Sequence, residues 1–191
     1  MSEAVVERAR EAIESALNRS AGGRPVPGNR VTLLHDASAY DAMLAAIDSA
    51  ERWIHLENYI IRSDVVGRRF AERLIARARD GVHVRVLYDW IGSVATRRRY
   101  WRALRDAGIE VRAFNPPRLL DLFSNVTRDH RKVLVVDGAL AVTGGMCIGH
   151  EWTGEGRTPA APWRDTGVSI DGPAAAVLDQ AFARTWALAG G

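Results

Sequence analysis

The residues best suited to chemistry lie in one run, His130-Arg131-Lys132-Val133-Leu134-Val135-Val136-Asp137, followed by Thr143-Gly144-Gly145-Met146-Cys147. The apolar, β-branched stretch after His130 reads as a buried strand. On a strand, side chains two residues apart share a face. His130 and Lys132 therefore project side by side, an imidazole next to an ammonium. That pair suits a phosphate ester. The imidazole can attack phosphorus while the ammonium neutralises a non-bridging oxygen as charge builds. Asp137 comes at the strand's far end, where its carboxylate can fix a turn or a neighbouring cation. Gly144 and Gly145 carry no side chain and can bring backbone N–H groups close to a phosphate. Lys132 is the one lysine among 26 basic residues. Arginine fills every other cationic position, which fits a site that needs an ammonium.

The elements that must position this run are legible on either side of it. Val6, Ala9, Ile13 and Leu17 recur at helical spacing, so the first 20 residues read as an amphipathic helix, followed by a Gly/Pro linker over 21–29. Val31 to Leu34 is a short strand. Asp36 or Ser38 can cap the next helix, whose stripe is Tyr40, Met43, Leu44 and Ile47. Residues 53–61 (WIHLENYII) form a buried strand, and a helix from about Val65 ends at Gly81. Strands at 83–89 and 110–114 flank a very basic helix over 96–107, and 115–129 is a loop. The apolar runs 132–136 and 139–143 join through Asp137-Gly138, a pair that favours a tight hairpin. A last strand over 167–170 precedes a closing helix with Pro173 at its first position. Strands alternating with helices predict an α/β fold with a mixed β-sheet sandwiched between helices. Residues 1–28 are a helix and linker, and 29–191 a single domain.

Composition narrows the function classes. The 191 residues are 47% hydrophobic and 26% charged, which builds a core and excludes a mainly disordered chain. The net charge is +3 and the isoelectric point about 9.5. Anionic partners are favoured without a nucleic-acid tail. Cys147 is the one cysteine, so no intramolecular disulfide forms and a reducing compartment is expected. The charged start does not read as a secretory signal, and no apolar run is long enough to cross a membrane. The expected location is cytoplasmic, with membrane association peripheral.

The spacing His130-x-Lys132-x4-Asp137, then six residues and Gly144-Gly145-x-Cys147, resembles the HKD signature of the phospholipase D superfamily. Further stretches follow in order: 56–60 (LENYI), 78–89 (ARDGVHVRVLYD), 144–152 (GGMCIGHEW), 162–166 (PWRDT) and 172–174 (GPA). Together they resemble the N-terminal half of bacterial cardiolipin synthases, over about residues 29–187. The resemblance implies a phospholipase D-like domain and a phosphatidyltransferase acting on glycerophospholipid phosphodiesters through a phosphohistidine. It implies no metal or other cofactor, and assigns His130, Lys132 and Asp137 by position. It places Asp165 where a carboxylate orients the His of the partner motif.

Two departures stand out. Cys147 holds the signature's Asn position, and a thiol is a poor substitute for an amide; a small buried hydrophobe is an equal reading. Family enzymes use two motifs, and with a single lysine this chain has one. A complete site needs a homodimer mate or a C-terminal half. The implied partners are an anionic, phosphatidylglycerol-like phospholipid, a membrane surface and that second half. A homodimeric single-motif endonuclease or phosphodiesterase, with nucleic acid as the lesser partner, and a non-catalytic half-site domain are the alternatives.

Three further features have open roles. Glu57 shares a strand face with His55 and Tyr59; a carboxylate buried there needs a partner, either a cation in the site or a structural ion pair. Leu119, Leu120, Leu122 and Phe123 precede His130 and either dip into a bilayer or cover the core. Arg97, Arg98, Arg99 and Arg102, near Trp101, offer a basic helix face to lipid headgroups, nucleic-acid phosphates or solvent.

Overall fold

The computed structural model describes residues 3–21, 25–117, 127–155 and 161–190. In chain order the elements are α1 (Glu3–Ala21), β1 (Arg30–His35), α2 (Ser38–Asp48), β2 (Trp53–Asn58), α3 (Val65–Arg79), β3 (His83–Asp89), α4 (Arg98–Asp106), β4 (Glu110–Phe114), β5 (Lys132–Val136), β6 (Leu140–Gly144), α5 (His150–Thr153), β7 (Thr166–Asp171) and α6 (Ala174–Leu188). The strands form one mixed seven-stranded sheet ordered β1-β7-β6-β5-β2-β3-β4. β2, β3 and β4 run parallel, linked by the crossover helices α3 and α4, and the other pairs are antiparallel. α2, α3 and α4 cover one face and α6 the other. This is the α/β sandwich expected from the pattern.

The alternation of β2 assigns its side chains to the two layers. Ile54 and Leu56 enter the main core with Phe70, Leu74, Val86 and Leu134. His55 faces α6, stacked on Phe182 at 4.5 Å with its Nδ1 2.6 Å from Asp179. β5 is buried along its whole length, so its apolar run is dictated by two covered faces. The β5–β6 turn takes positive φ at both Asp137 (53°) and Gly138 (68°), the hairpin geometry that an Asp-Gly pair favours.

Several local expectations are corrected. Neither Asp36 nor Ser38 caps α2: Ala37 holds the cap position without a side-chain bond. The Ser38 hydroxyl turns back to His35, and Asp36 adopts φ 49° and faces Arg164 and Asp165. β2 stops at Asn58, and Ile61 instead bridges Ile148. The α1 stripe does not find a core, since Val6, Ile13 and Leu17 are exposed. Residues 119–123 lie outside the described residues. Among those described, no helix is long and apolar enough to cross a membrane.

Candidate active site

The site begins where β5 enters the sheet. Lys132, the strand's first residue, is paired in register with Asn58 of β2, and its carbonyl accepts the Thr143 hydroxyl of β6 at 2.9 Å. The lysine's backbone is thereby held between two strands, and the residue is only 8% exposed. Its ammonium reaches the sheet edge. Nζ lies 2.7 Å from the carbonyl of His130 and 3.1 Å from His130 Nδ1. His130 itself is exposed. His130 lies two residues before the strand, so alternation along β5 does not set its direction; the two groups meet all the same. An ammonium can only donate, so the contact at Nδ1 places a neutral imidazole's proton on Nε2.

Tyr59, which the sequence reading did not single out, completes the wall. Its ring centroid is 4.2 Å from that of His130, and Lys132 Nζ lies 5.3 Å from it. The aromatic ring limits the tilt of the imidazole and presents its negative face to the ammonium. The only signal available in sequence was Tyr59's place two residues beyond Glu57.

Asp165 stands at the same edge. A Cβ on Gly145 would lie 2.3 and 2.5 Å from the two Asp165 carboxylate oxygens, so the glycine makes room for that carboxylate. Asp36 fixes it from behind: the Asp36 amide donates to the Asp165 carbonyl, and the Asp165 amide donates to Asp36 Oδ1, both at 3.0 Å. Asp165 Oδ1 takes the amide of Thr166 at 2.7 Å. Gly144 is small for another reason. It faces Gly167 across β6–β7, and a Cβ there would lie 2.7 Å from the Gly167 Cα.

Three predicted residues are not brought to the open side of the pair. Asp137 sits at the opposite end of β5, about 16 Å along the strand from Lys132. Its carboxylate accepts the amides of Glu51, Arg52 and Trp53 at 2.8–2.9 Å and so anchors the start of β2. Burial works to raise its pKa, but those three amides and Arg52 outweigh it and hold the carboxyl below its ordinary value. Cys147 is 2% exposed within the main core, and burial pushes its thiol up. Glu57, fully buried, points to the α6 face, where it receives Arg131 Nη2 at 2.7 Å and Nε at 2.9 Å; Arg131 also donates to the Ala181 carbonyl of α6. Of the two readings of Glu57, the structural ion pair is the one observed.

Beneath His130 lies a knot of buried charge. Asp129 precedes the histidine, its amide donating to Asp89 Oδ2 at 3.0 Å. Burial, followed by a hydrogen bond shared with Asp129, raises the Glu57 carboxyl to about 8, against the pull of Arg131. Glu57 Oε2 and Asp129 Oδ2 are otherwise buried without a partner, so one shared proton satisfies both. The knot ties the segment 128–131 to β2 and β3 and leaves His130 on its outer side.

Asp64, His150 and Glu151 bring ligand-type atoms within 4.8 Å of one another. Their bonds are internal. Asp64 caps α3 through the Gly67 amide and takes both the amide and Nδ1 of His150, while Glu151 accepts from Arg62. The cluster locks α3 to α5.

The family described as "Cardiolipin synthase, PLD-like domain" matches residues 43–186. Cardiolipin synthase A of Pseudomonas aeruginosa (strain LESB58) is 41% identical over 173 residues, 90% of this chain and 35% of that protein. Cardiolipin synthase 1 of Bacillus cereus is 38% identical over 169 residues, 86% of this chain and 33% of that one. The chain thus spans about a third of the length of the curated relatives it matches. Nuc of Salmonella typhimurium, a phospholipase D family member, shares the fold with a TM-score of 0.63 at 23% identity, over 83% of this chain and 95% of that one. Phosphatidylserine synthase of Haemophilus influenzae Rd KW20 aligns with a TM-score of 0.60 at 17% identity, over 78% and 35%. With a match that takes in strands β2 to β7, the His130–Lys132 edge and most of α6, the chain belongs to the family of cardiolipin synthase, phospholipase D-like domains.

Proposed function

We propose that this chain supplies one half of a phosphatidyltransferase site acting on anionic glycerophospholipids. The observation that carries the reading is the contact between the Lys132 ammonium and His130 at an exposed sheet edge. In the first step, Nε2 of His130 attacks the phosphorus of a phosphatidylglycerol-like headgroup. The P–O bond to the leaving glycerol breaks, and the leaving oxygen takes a proton from an imidazolium of the second half. In the next step that imidazole, now neutral, takes the proton of an incoming alcohol. The alcohol oxygen attacks phosphorus and the N–P bond breaks. Lys132 stays on the non-bridging oxygens throughout.

Attack through Nε2 needs the imidazole proton on Nδ1, the opposite of the arrangement in this half alone. A carboxylate accepting from Nδ1–H sets that tautomer, as the second shell of many histidines does. Asp165 serves this role toward the histidine of the second half, and a matching carboxylate from that half serves His130. The second half comes from a homodimer mate or a C-terminal domain, which places two histidines within about 6 Å, each in hydrogen-bond reach of one phosphate. Asp137 and Cys147 act in this reading by holding the frame. The protein works at a membrane surface, peripherally bound.

Incubation with phosphatidylglycerol vesicles and, separately, with DNA tests the reading. Cardiolipin plus free glycerol, lost in His130→Asn, is the expected result. Cleaved DNA with no lipid product moves the chain to the phosphodiesterase reading. No product in any assembled state reduces it to a binding domain.

A further inference from the structure

The α4 helix is built against its own stability. Its nine residues include Arg98, Arg99, Arg102 and Arg105, with no acidic residue in the first turn and no side-chain cap. Arg98, Arg102 and Arg105 follow at i, i+4 and i+7 and form one stripe, a spacing at which like charges repel. Among the described residues, neither Arg98 nor Arg102 has an ion-pair partner. Arg105 donates to the Val111 carbonyl at 3.4 Å. Violations of local rules of this kind concentrate where function demands them.

The stripe lines a cavity of about 630 Å³. Its floor is Tyr88 stacked on Trp101 at 3.9 Å, and Trp90 forms part of its wall. Val94, which also lines it, is 64% exposed, and Ile91 beside it is 42% exposed. Exposed aliphatic side chains therefore lie beside a lining in which three arginines outnumber the one carboxylate, Asp106. A nucleic acid would find guanidiniums and the half-buried Trp90, but its bases would meet aliphatic side chains where Val94 and Ile91 are exposed. A phospholipid headgroup finds both parts of what it needs, cations for phosphate and an apolar lip toward its chains.

The cavity is close to the reacting pair. Tyr88 is in register with Asn58, and Asn58 with Lys132, so the three lie in a row on one face of the sheet. Two strand spacings separate Tyr88 from Lys132, about 10 Å. The loop before α4 is also tied to the site: the Ser93 hydroxyl donates to the carbonyl of Tyr59, whose ring lies against His130.

Building on the phosphatidyltransferase reading, we propose that the α4 cavity binds the phosphate of the acceptor, a second anionic phospholipid whose headgroup carries a free hydroxyl. Two phosphorus atoms joined through a three-carbon alcohol are six single bonds apart, at most about 7.5 Å. A lysine on one phosphate and an arginine on the other sit about 3 Å beyond each. Such a product with its two cations reaches about 13 Å, enough to cover the two strand spacings between Lys132 and Tyr88 on the cavity floor. The donor phosphate sits at His130 and the acceptor phosphate at Arg98 and Arg102.

The test uses the full chain and three probes: phosphatidylglycerol vesicles, the water-soluble deacylated headgroup glycerophosphoglycerol, and inorganic phosphate. Binding is followed by vesicle flotation and by the indole N–H signals of Trp90 and Trp101. The wild type should bind the vesicles and the soluble headgroup with shifts at both indoles. Arg98→Gln with Arg102→Gln should weaken both at least tenfold, while Arg98→Lys with Arg102→Lys recovers part of the loss. His130→Asn should leave the indole shifts intact while removing the covalent step. Its failure to affect product would sink the parent reading and not this one. Unchanged headgroup binding in the glutamine pair overturns the proposal. So does inorganic phosphate binding as tightly as the headgroup, or single-stranded DNA displacing the headgroup from the same indoles. Should the glutamine pair fold poorly by its melting curve, the lysine pair and each single variant decide on the same readout.

Discussion

Asp137→Asn separates frame from chemistry. The Asp137 carboxylate takes three backbone amides, those of Glu51, Arg52 and Trp53. A bond to a charged acceptor contributes about 1.5–3 kcal/mol and a neutral one about 0.5–1.5. Asparagine keeps one oxygen for Arg52 and Trp53 but turns an NH2 toward the Glu51 amide. Two bonds weaken by about 1 kcal/mol each and one is lost. Glu51 and Arg52 are exposed and their amides can turn to water, so screening trims the sum to about 2 kcal/mol. For a domain of this size that is a fall in Tm of about 4–8 °C. The sign with pH follows from the depressed carboxyl. Its contribution is present above the ordinary aspartate value of about 3.9 and is lost as pH falls through the lower folded value. Melting curves of wild type and variant should thus differ at pH 7 and converge in acid. Asparagine tolerates the left-handed backbone at this position, so strain does not confound the result. Turnover measured well below Tm should stay within about threefold of wild type, under 1 kcal/mol of barrier. A variant with unchanged Tm and collapsed turnover would refute the assignment and return Asp137 to the chemistry.

The remaining predictions address the pair and its supports. Glu57 is raised to about 8 from 4.5, so the folded chain binds this proton more tightly than the unfolded one and stability falls as pH climbs between those values; Glu57→Gln should flatten the dependence of Tm on pH over that window, and an unaltered slope would assign it elsewhere. Lys132→Arg keeps the charge but puts a planar guanidinium into a slot that leaves the lysine 8% exposed; turnover should fall about 100-fold or more with the far-ultraviolet spectrum intact, and near-wild-type turnover would show that any cation suffices. Gly145→Ala sets a methyl group against the Asp165 carboxylate, so kcat should drop while KM for lipid holds; equal changes in both would mean Asp165 only helps binding. Asn58 is fully buried beside Lys132 with neither amide atom bonded to another group; Asn58→Leu should raise or preserve Tm while lowering activity, and a lower Tm with normal activity would make the amide structural.

What was readable in the sequence was local. The nearness of His130 and Lys132 follows from a separation of two residues, although His130 precedes β5, and the Asp137-Gly138 hairpin from the φ preferences of two. The order of strands and helices fixed the α/β class because a single helix lies between β2 and β3 and between β3 and β4. The supports of the site depend instead on registers set far along the chain. Tyr59 meets His130 only because β2 pairs with β5 so that Asn58 faces Lys132, and Asp36 holds Asp165 across 129 residues. Glu57 was recognisable as a buried acid in need of a cation, but Arg131 could not be named before the α6 face was known. The α1 stripe shows the opposite failure: its helical period was correct, yet periodicity does not say what, if anything, covers an apolar face.

The central claim is that His130, seated on Lys132, takes phosphorus covalently. Rapid quenching of the protein after mixing with a short-chain phosphatidylglycerol, followed by peptide mass spectrometry under alkaline conditions, measures this directly. The account predicts an acid-labile phosphatidyl adduct on His130, absent in His130→Asn and strongly reduced in Lys132→Arg. Cardiolipin formed by the His130→Asn protein, or an adduct on any other residue of the wild type, would contradict it.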